Sequence, residues 1–295
     1  MDVIITSQEL NSLRFYQGDL LHYITTTEAE SIKYNSPFYK TKGAYHILNL
    51  LLYPGMDNEI TRICHENKKI PIHLLENMSE LIAIYGDIFT VMCKYQRMNR
   101  RKGSIHAFRK DRMQSMAMVD NHATFAFTSC SLKDKVEDYF LKKDGLLLLE
   151  YEIADSIPYV VMNDVLIDNP YQYQEEILLP PFTAFTVSEL KFTEKELNYK
   201  DVNKEPPKGK YLLSPTHMLI QDASNDSARE VQNMDLLNIC DKEQIDRAVR
   251  VLKGLAEGVV IEESEVSSYC DWKKEVQKTV RTIMRKSYFL FNEDV

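Results

Sequence analysis

Apolar positions in the first third of the chain recur at helical spacing. Gly43 to Tyr53 reads as a compact apolar helix, closed by Pro54 and Gly55, because proline cannot continue a helix and glycine eases its exit. Upstream, Thr27-x-x-Glu30 has the form of a capping box, in which each residue satisfies a free backbone donor of the first turn. Asp57 is placed to cap a following helix with Ile60, Ile63 and Cys64 on its inner face. From Ile88 the pattern changes to short extended runs, predicting strands at 88–97, 123–130, 145–153, 158–162, 174–179, 183–187 and 210–221. Lys200 to Gly209, with Pro206-Pro207 inside it, reads as an exposed loop. After Asp222 to Ser227 helical spacing returns. Ile245, Val249, Leu252 and Ala256 form one stripe, and Trp272, Val276, Val280 and Ile283 another. The expected layout is a helical lobe over 1–86, a β core over 87–222 and a helical C-terminal extension over 223–295.

Composition narrows the class. A hydrophobic content of 44% over 295 residues supports a packed core, and no apolar stretch is long enough to span a membrane. The start of the chain lacks the basic-then-apolar pattern of a secretory signal. Five scattered cysteines, none spaced Cys-x-x-Cys, argue for a reducing compartment rather than a disulfide framework. No cluster of His, Cys and Asp has metal-ligand spacing, so no metal is expected. The Gly-x-Gly-x-x-Gly signature of doubly wound dinucleotide folds is missing as well. A net charge of −8 disfavours simple nucleic-acid binding, yet Lys94 to Arg112 is a cationic strip that reads as a solvated loop, with guidance of an anionic ligand as the alternative. Lys273, Lys274, Lys278, Arg281, Arg285 and Lys286 decorate the last helix, where a solvated face is the plainer reading than a partner site.

Two segments carry the chemistry. Phe127-Thr128-Ser129-Cys130-Ser131-Leu132 is a hydroxyl-rich strand edge, and Gln174-Glu175-Glu176-Ile177-Leu178-Leu179-Pro180-Pro181 is a polar pair running into an apolar strand stopped by two prolines. Side chains alternate along a strand, so Ser129 and Ser131 share a face, as do Gln174 and Glu176, and the two strands side by side would hold a carboxylate, an amide and a hydroxyl around a common cleft. A one-residue slip would present Glu175 instead. Singly, each of these residues is an ordinary strand-edge group; as an ordered set they are much more specific.

In that order the segments resemble the R-S-E class of mono-ADP-ribosyltransferases, which carry an arginine on an early strand, then Phe-x-Ser-Thr-Ser-Leu, then Glu/Gln-x-Glu before Val/Ile-Leu-Leu-Pro-Pro. Cys130 replaces the middle threonine. Arg97 is the first candidate for the arginine, although Gln96 separates it from Tyr95 where the family has Tyr-Arg, and Arg100 competes with it. The resemblance covers about the first three quarters of the chain and makes 1–222 the catalytic domain.

It implies an α+β ADP-ribosyltransferase fold of two packed, mainly antiparallel sheets with a helical front lobe. It implies NAD as a substrate and a macromolecular acceptor. Catalytic roles fall to Glu176, Gln174 and Ser129, and NAD binding to Arg97, Ser129, Ser131, Tyr139 and Phe140, the last two equally good as core residues. Tyr171 and Tyr173, with Gln174, would face the acceptor. In the family Gln-x-Glu goes with asparagine or nucleobase acceptors rather than arginine. A bacterial toxin or effector follows, acting in the producing cell's cytoplasm or delivered by a specialised secretion system, with an antitoxin or chaperone as a further partner. An NAD glycohydrolase and a catalytically inactive binding protein of the same fold stand as alternatives.

Overall fold

The computed structural model describes residues 3–17, 44–54, 70–99, 103–112, 119–120, 122–133, 146–167, 169–197, 208–220 and 236–292. By packing, the chain divides into one unit of Met1–Lys94 with Ile220–Val295 and another of Tyr95–Leu219. The first is helical. Its α1 (Ser7–Gln17) opens with a reciprocal cap, Glu9 N donating to Thr6 Oγ1 at 3.3 Å and Thr6 N to Glu9 Oε2 at 2.7 Å. The same Glu9 pairs with Lys94 at 2.7 Å. The apolar run read from Gly43 becomes α2 (Ala44–Leu52), which buries Ala44, Ile47, Leu48, Leu50, Leu51 and Leu52.

A 3-10 turn (Ile72–Asn77) leads into α3 (Met78–Met98), and here the strand expected over 88–97 is corrected to helix. Ile88, Phe89 and Val91 are good strand formers, but Leu81, Tyr85, Ile88, Met92 and Tyr95 recur every three or four residues and are all buried. Burial of that stripe outweighs local strand preference. Beyond the β unit come α6 (Leu236–Ile239), α7 (Lys242–Glu257) and α8 (Glu263–Asn292). Asp241 caps α7 by accepting from Gln244 N at 3.0 Å, and Gly258 ends it in the left-handed conformation at φ 71°. Of the first predicted stripe Ile245 and Leu252 are buried, with Ala248 and Val251 completing the face. Trp272, Val276, Val280 and Met284, at four-residue spacing, are the core face of α8. By packing, the C-terminal helices therefore group with the N-terminal ones, and the β unit runs from Tyr95 to Leu219.

The second unit is built on strands. They are β1 (Ile105–Arg112), β2 (Ala123–Thr124), β3 (Thr128–Ser131), β4 (Leu146–Ile153), β5 (Val160–Val161), β6 (Glu176–Leu179), β7 (Thr183–Glu189) and β8 (Gly209–Met218). Short helices α4 (Met162–Val165) and α5 (Glu194–Leu197) lie between them. Among the described residues the strands bond in the order β2-β7-β8-β4-β1-β3-β6-β5, parallel at β4–β8 and otherwise antiparallel. The architecture is thus α+β and mainly antiparallel, its strands joined in one continuous order. In β4, Leu147, Leu149, Tyr151 and Ile153 are buried while Leu148, Glu150 and Glu152 are partly exposed, the alternation of a sheet with one covered face. β1 was concealed in the cationic strip. Its charged residues disguise a strand that pairs along its whole length with β4 and also touches β3.

Candidate functional site

The two sequence segments meet through β3 and β6, which pair antiparallel with Ser131 opposite Glu176, Cys130 opposite Ile177 and Ser129 opposite Leu178. Residues opposite one another share a face, so Ser129, Ser131 and Glu176 lie on one side and Cys130 on the other. Ser129 and Glu176 are diagonal neighbours in this register. The Ser129 hydroxyl donates to Glu176 Oε1 at 2.5 Å, at the short end of hydroxyl–carboxylate bonds. Glu176 is only 6% exposed, and every residue of β6 around it is buried. A carboxylate removed from water and aimed by a hydroxyl is a preorganised charge rather than a solubilising one.

Gln174 reaches the site differently from the expectation. The strand starts at Glu176, not at 174: Gln172–Gln174 is a 3-10 turn and Glu175 adopts the left-handed conformation at φ 46°, ψ 50°. Strand alternation therefore does not relate Gln174 to Glu176. The Gln174 side-chain amide donates to the Tyr173 hydroxyl at 3.3 Å, and the Gln174 backbone carbonyl accepts from Ser131 Oγ at 2.9 Å. Ser131 is accordingly turned toward the loop. Glu175, the alternative acid, points to Lys133, with which it pairs at 3.1 Å.

The loop before this turn is held by polar links. Asn169 donates to Asn163 Oδ1 at 2.9 Å and accepts from Tyr171 N at 2.8 Å, and Asn163 donates to Gln172 O at 2.8 Å. Tyr171 is partly buried, whereas Tyr173 is 48% exposed beside Gln174. These bonds leave Tyr173 and the Gln174 amide together at the surface.

The arginine requires a correction. Arg97 occupies the last turn of α3 rather than the early strand that the resemblance implies. The arginine found at the serine is Arg109, on β1. Its Nη1 donates to the Ser129 carbonyl at 2.6 Å and its Nε to Asp111 Oδ2 at 2.7 Å. Burial opposes its charge, but Asp111 beside it more than compensates and holds the guanidinium firmly ionised. Its side chain is still 33% exposed. The sequence contained a signal for it: Phe108-Arg109 is an aromatic–arginine pair in direct succession, which Tyr95-Gln96-Arg97 is not. On the covered side, burial pushes the Cys130 thiol up to about 12; Arg109 pulls it down, while Asp111 and Glu176 add to burial. Cys130 thus packs as a neutral thiol, filling the motif's middle position without chemistry. Tyr139, Phe140 and Arg100 lie outside the described residues, as do Thr27, Glu30, Asp57 and Cys64.

Among the described residues no group of three or more His, Cys, Asp and Glu side chains is arranged to hold a metal, and no helix is long and apolar enough to cross a membrane. No family model and no curated protein matches the chain. Among solved structures it is similar to the ADP-ribosyltransferase Vis, determined in complex with the M6 inhibitor, at 14% identity over 72% of this chain and 86% of that one, with a TM-score of 0.36. It is also similar to Plx2a, an ADP-ribosyltransferase toxin from Paenibacillus larvae, at 12% identity over 73% of this chain and 100% of the other, with a TM-score of 0.32. Values of this size leave the activity to be argued from the site itself.

Proposed function

We propose that this protein is an NAD-dependent mono-ADP-ribosyltransferase, with Glu176 as its catalytic carboxylate. The single observation that supports it most is the buried Glu176 held by Ser129 Oγ at 2.5 Å, in the segment order Phe-x-Ser-x-Ser-Leu then Gln-x-Glu. Cleaving the bond between nicotinamide and ribose builds positive charge on the sugar, as in glycoside hydrolysis. A fixed carboxylate beside that sugar lowers the barrier because its attraction grows as the charge develops. Ser129 keeps Glu176 oriented. Arg109 is the cation for the pyrophosphate in this reading, since its planar fork suits phosphate oxygens and, from a stem on the Cys130 side of the sheet, it reaches the Ser129 backbone carbonyl.

The acceptor is a macromolecule met at the surface by Gln174, Tyr171 and Tyr173. An amide side chain cannot take a proton from arginine but can hydrogen-bond a neutral amide or a nucleobase amino group. A non-arginine protein amide or a base is therefore the favoured acceptor, and a toxin or effector the favoured role. The test is incubation with NAD labelled on the adenylate and whole-cell lysate, followed by nuclease or protease digestion. Label passing into protein amide linkages or into nucleotides supports the proposal. Label on protein arginine overturns the acceptor, release of free ADP-ribose alone indicates a glycohydrolase, and intact NAD overturns the enzyme.

A further inference from the structure

The chain enters β6 through an expensive turn. Glu175 sits at φ 46°, ψ 50°, a left-handed conformation in which the β-carbon crowds the following carbonyl oxygen, and neither glycine nor asparagine relieves it. The next residue is Glu176, whose bond to Ser129 depends on where this turn delivers it. The end of β3 grips the turn. Ser131 Oγ donates to Gln174 O at 2.9 Å, and Leu132 N donates to Glu175 O at 3.0 Å. Lys133 Nζ donates to Tyr173 O at 3.0 Å and pairs with Glu175 Oε1 at 3.1 Å. Lys133 is tied back in turn, its own backbone N donating to Ser131 Oγ at 3.1 Å.

We infer that Lys133 is a positioning residue, whose ammonium locks the left-handed turn at Glu175 and so sets Glu176 against Ser129; this rests on the reading of Glu176 as the catalytic carboxylate. A lone ion pair between side chains 42% and 44% exposed contributes little. Here one ammonium bonds both a carboxylate and a backbone carbonyl two residues apart, so losing it frees the turn at two points. Lys133 lies beyond the last paired residue of β3, so its side chain can be altered without disturbing the strand register. Glu175 gains a defined role too: in Gln174-Glu175-Glu176 the middle acid serves the loop, and the last acid serves the sugar.

The test compares wild type with Lys133→Met, which keeps the aliphatic stem, and Lys133→Arg, which keeps charge and donors. NAD hydrolysis should show kcat lowered about ten-fold in Lys133→Met, KM for NAD within about two-fold, and most of kcat restored in Lys133→Arg, since misplacing a catalytic group by ~1 Å costs up to about a hundred-fold. Amide exchange at Gln174 and Glu175, which donate to Tyr171 O and Gln172 O, should quicken in Lys133→Met and not in Lys133→Arg. Unchanged exchange and kcat overturn the inference, and so does a raised KM with kcat preserved, which makes Lys133 a ligand of NAD. Wild-type protein inactive on NAD removes the proposed function instead. The exchange experiment then still decides the clamp, faster exchange in Lys133→Met upholding it and equal exchange overturning it.

Discussion

Glu176 and Ser129 share one short hydrogen bond, and the isosteric change Glu176→Gln tests the role proposed for its charge. An amide oxygen still accepts from Ser129, so the fold and the geometry should persist while NAD cleavage falls by about a hundred-fold or more, as for other preorganised groups. Circular dichroism alongside the cleavage assay checks both halves; activity within a few-fold of wild type makes Glu176 structural. For the arginine, calorimetry should find the NAD dissociation constant raised about ten-fold or more in Arg109→Ala, the loss of a charged hydrogen-bonding partner, and only marginally in Arg97→Ala. The opposite ranking returns the role to Arg97. Gln174 has its side chain on Tyr173 at the surface rather than on Glu176. Gln174→Ala should therefore lose transfer to the acceptor yet keep NAD binding and slow hydrolysis by water, and a variant dead in both reactions contradicts that division.

At the scale of elements, the end of α2 depends on α8. Gln277 donates its amide to the carbonyls of Leu51, Leu52 and Tyr53 at 3.3, 3.2 and 2.7 Å, supplying a donor where a helix end leaves carbonyls without one. Gln277→Leu keeps the volume and strands those buried acceptors, so urea unfolding should show a loss of about 1–3 kcal/mol. Trp272, the chain's one tryptophan and a neighbour on α8, reports it by fluorescence. A midpoint unmoved by the change means that the three bonds contribute nothing net.

For the whole molecule, the helical unit is assembled from both ends of the chain: α8 packs on α2, and α7 on the 3-10 turn at Ile72–Asn77. Ending the chain at 222 removes α6, α7 and α8, and with them the helices packed on α2 and on the 3-10 turn, which carry the buried Leu48, Leu51 and Leu75. Residues 1–222 alone should thus bind a hydrophobic dye and lose helix signal beyond the deleted residues' share, because an apolar face without a partner is not stable in water. A truncated chain with native-like circular dichroism and no dye binding restores 223–295 to the status of an appendage.

What could be read from the sequence alone was what local pattern dictates. The apolar run at Ala44–Leu52 and the four-residue spacing of Trp272, Val276 and Val280 each declare their element, because burial of one face is written in the period of the residues themselves. The meeting of the Ser129 and Glu176 segments was legible for a different reason: the segment Thr128 to Ser131 and the segment Glu176 to Leu179 carry a recognisable order. Three things were settled only by tertiary structure. Burial of a helical stripe made 88–97 a helix although its residues favour strands, and that took Arg97 off the strand expected for it. Pairing with β4 made a strand of the cationic Ile105–Arg112, and so brought Arg109 to Ser129. Bonds from Ser131, Leu132 and Lys133 hold Glu175 in a conformation its own side chain disfavours, which no local preference could announce.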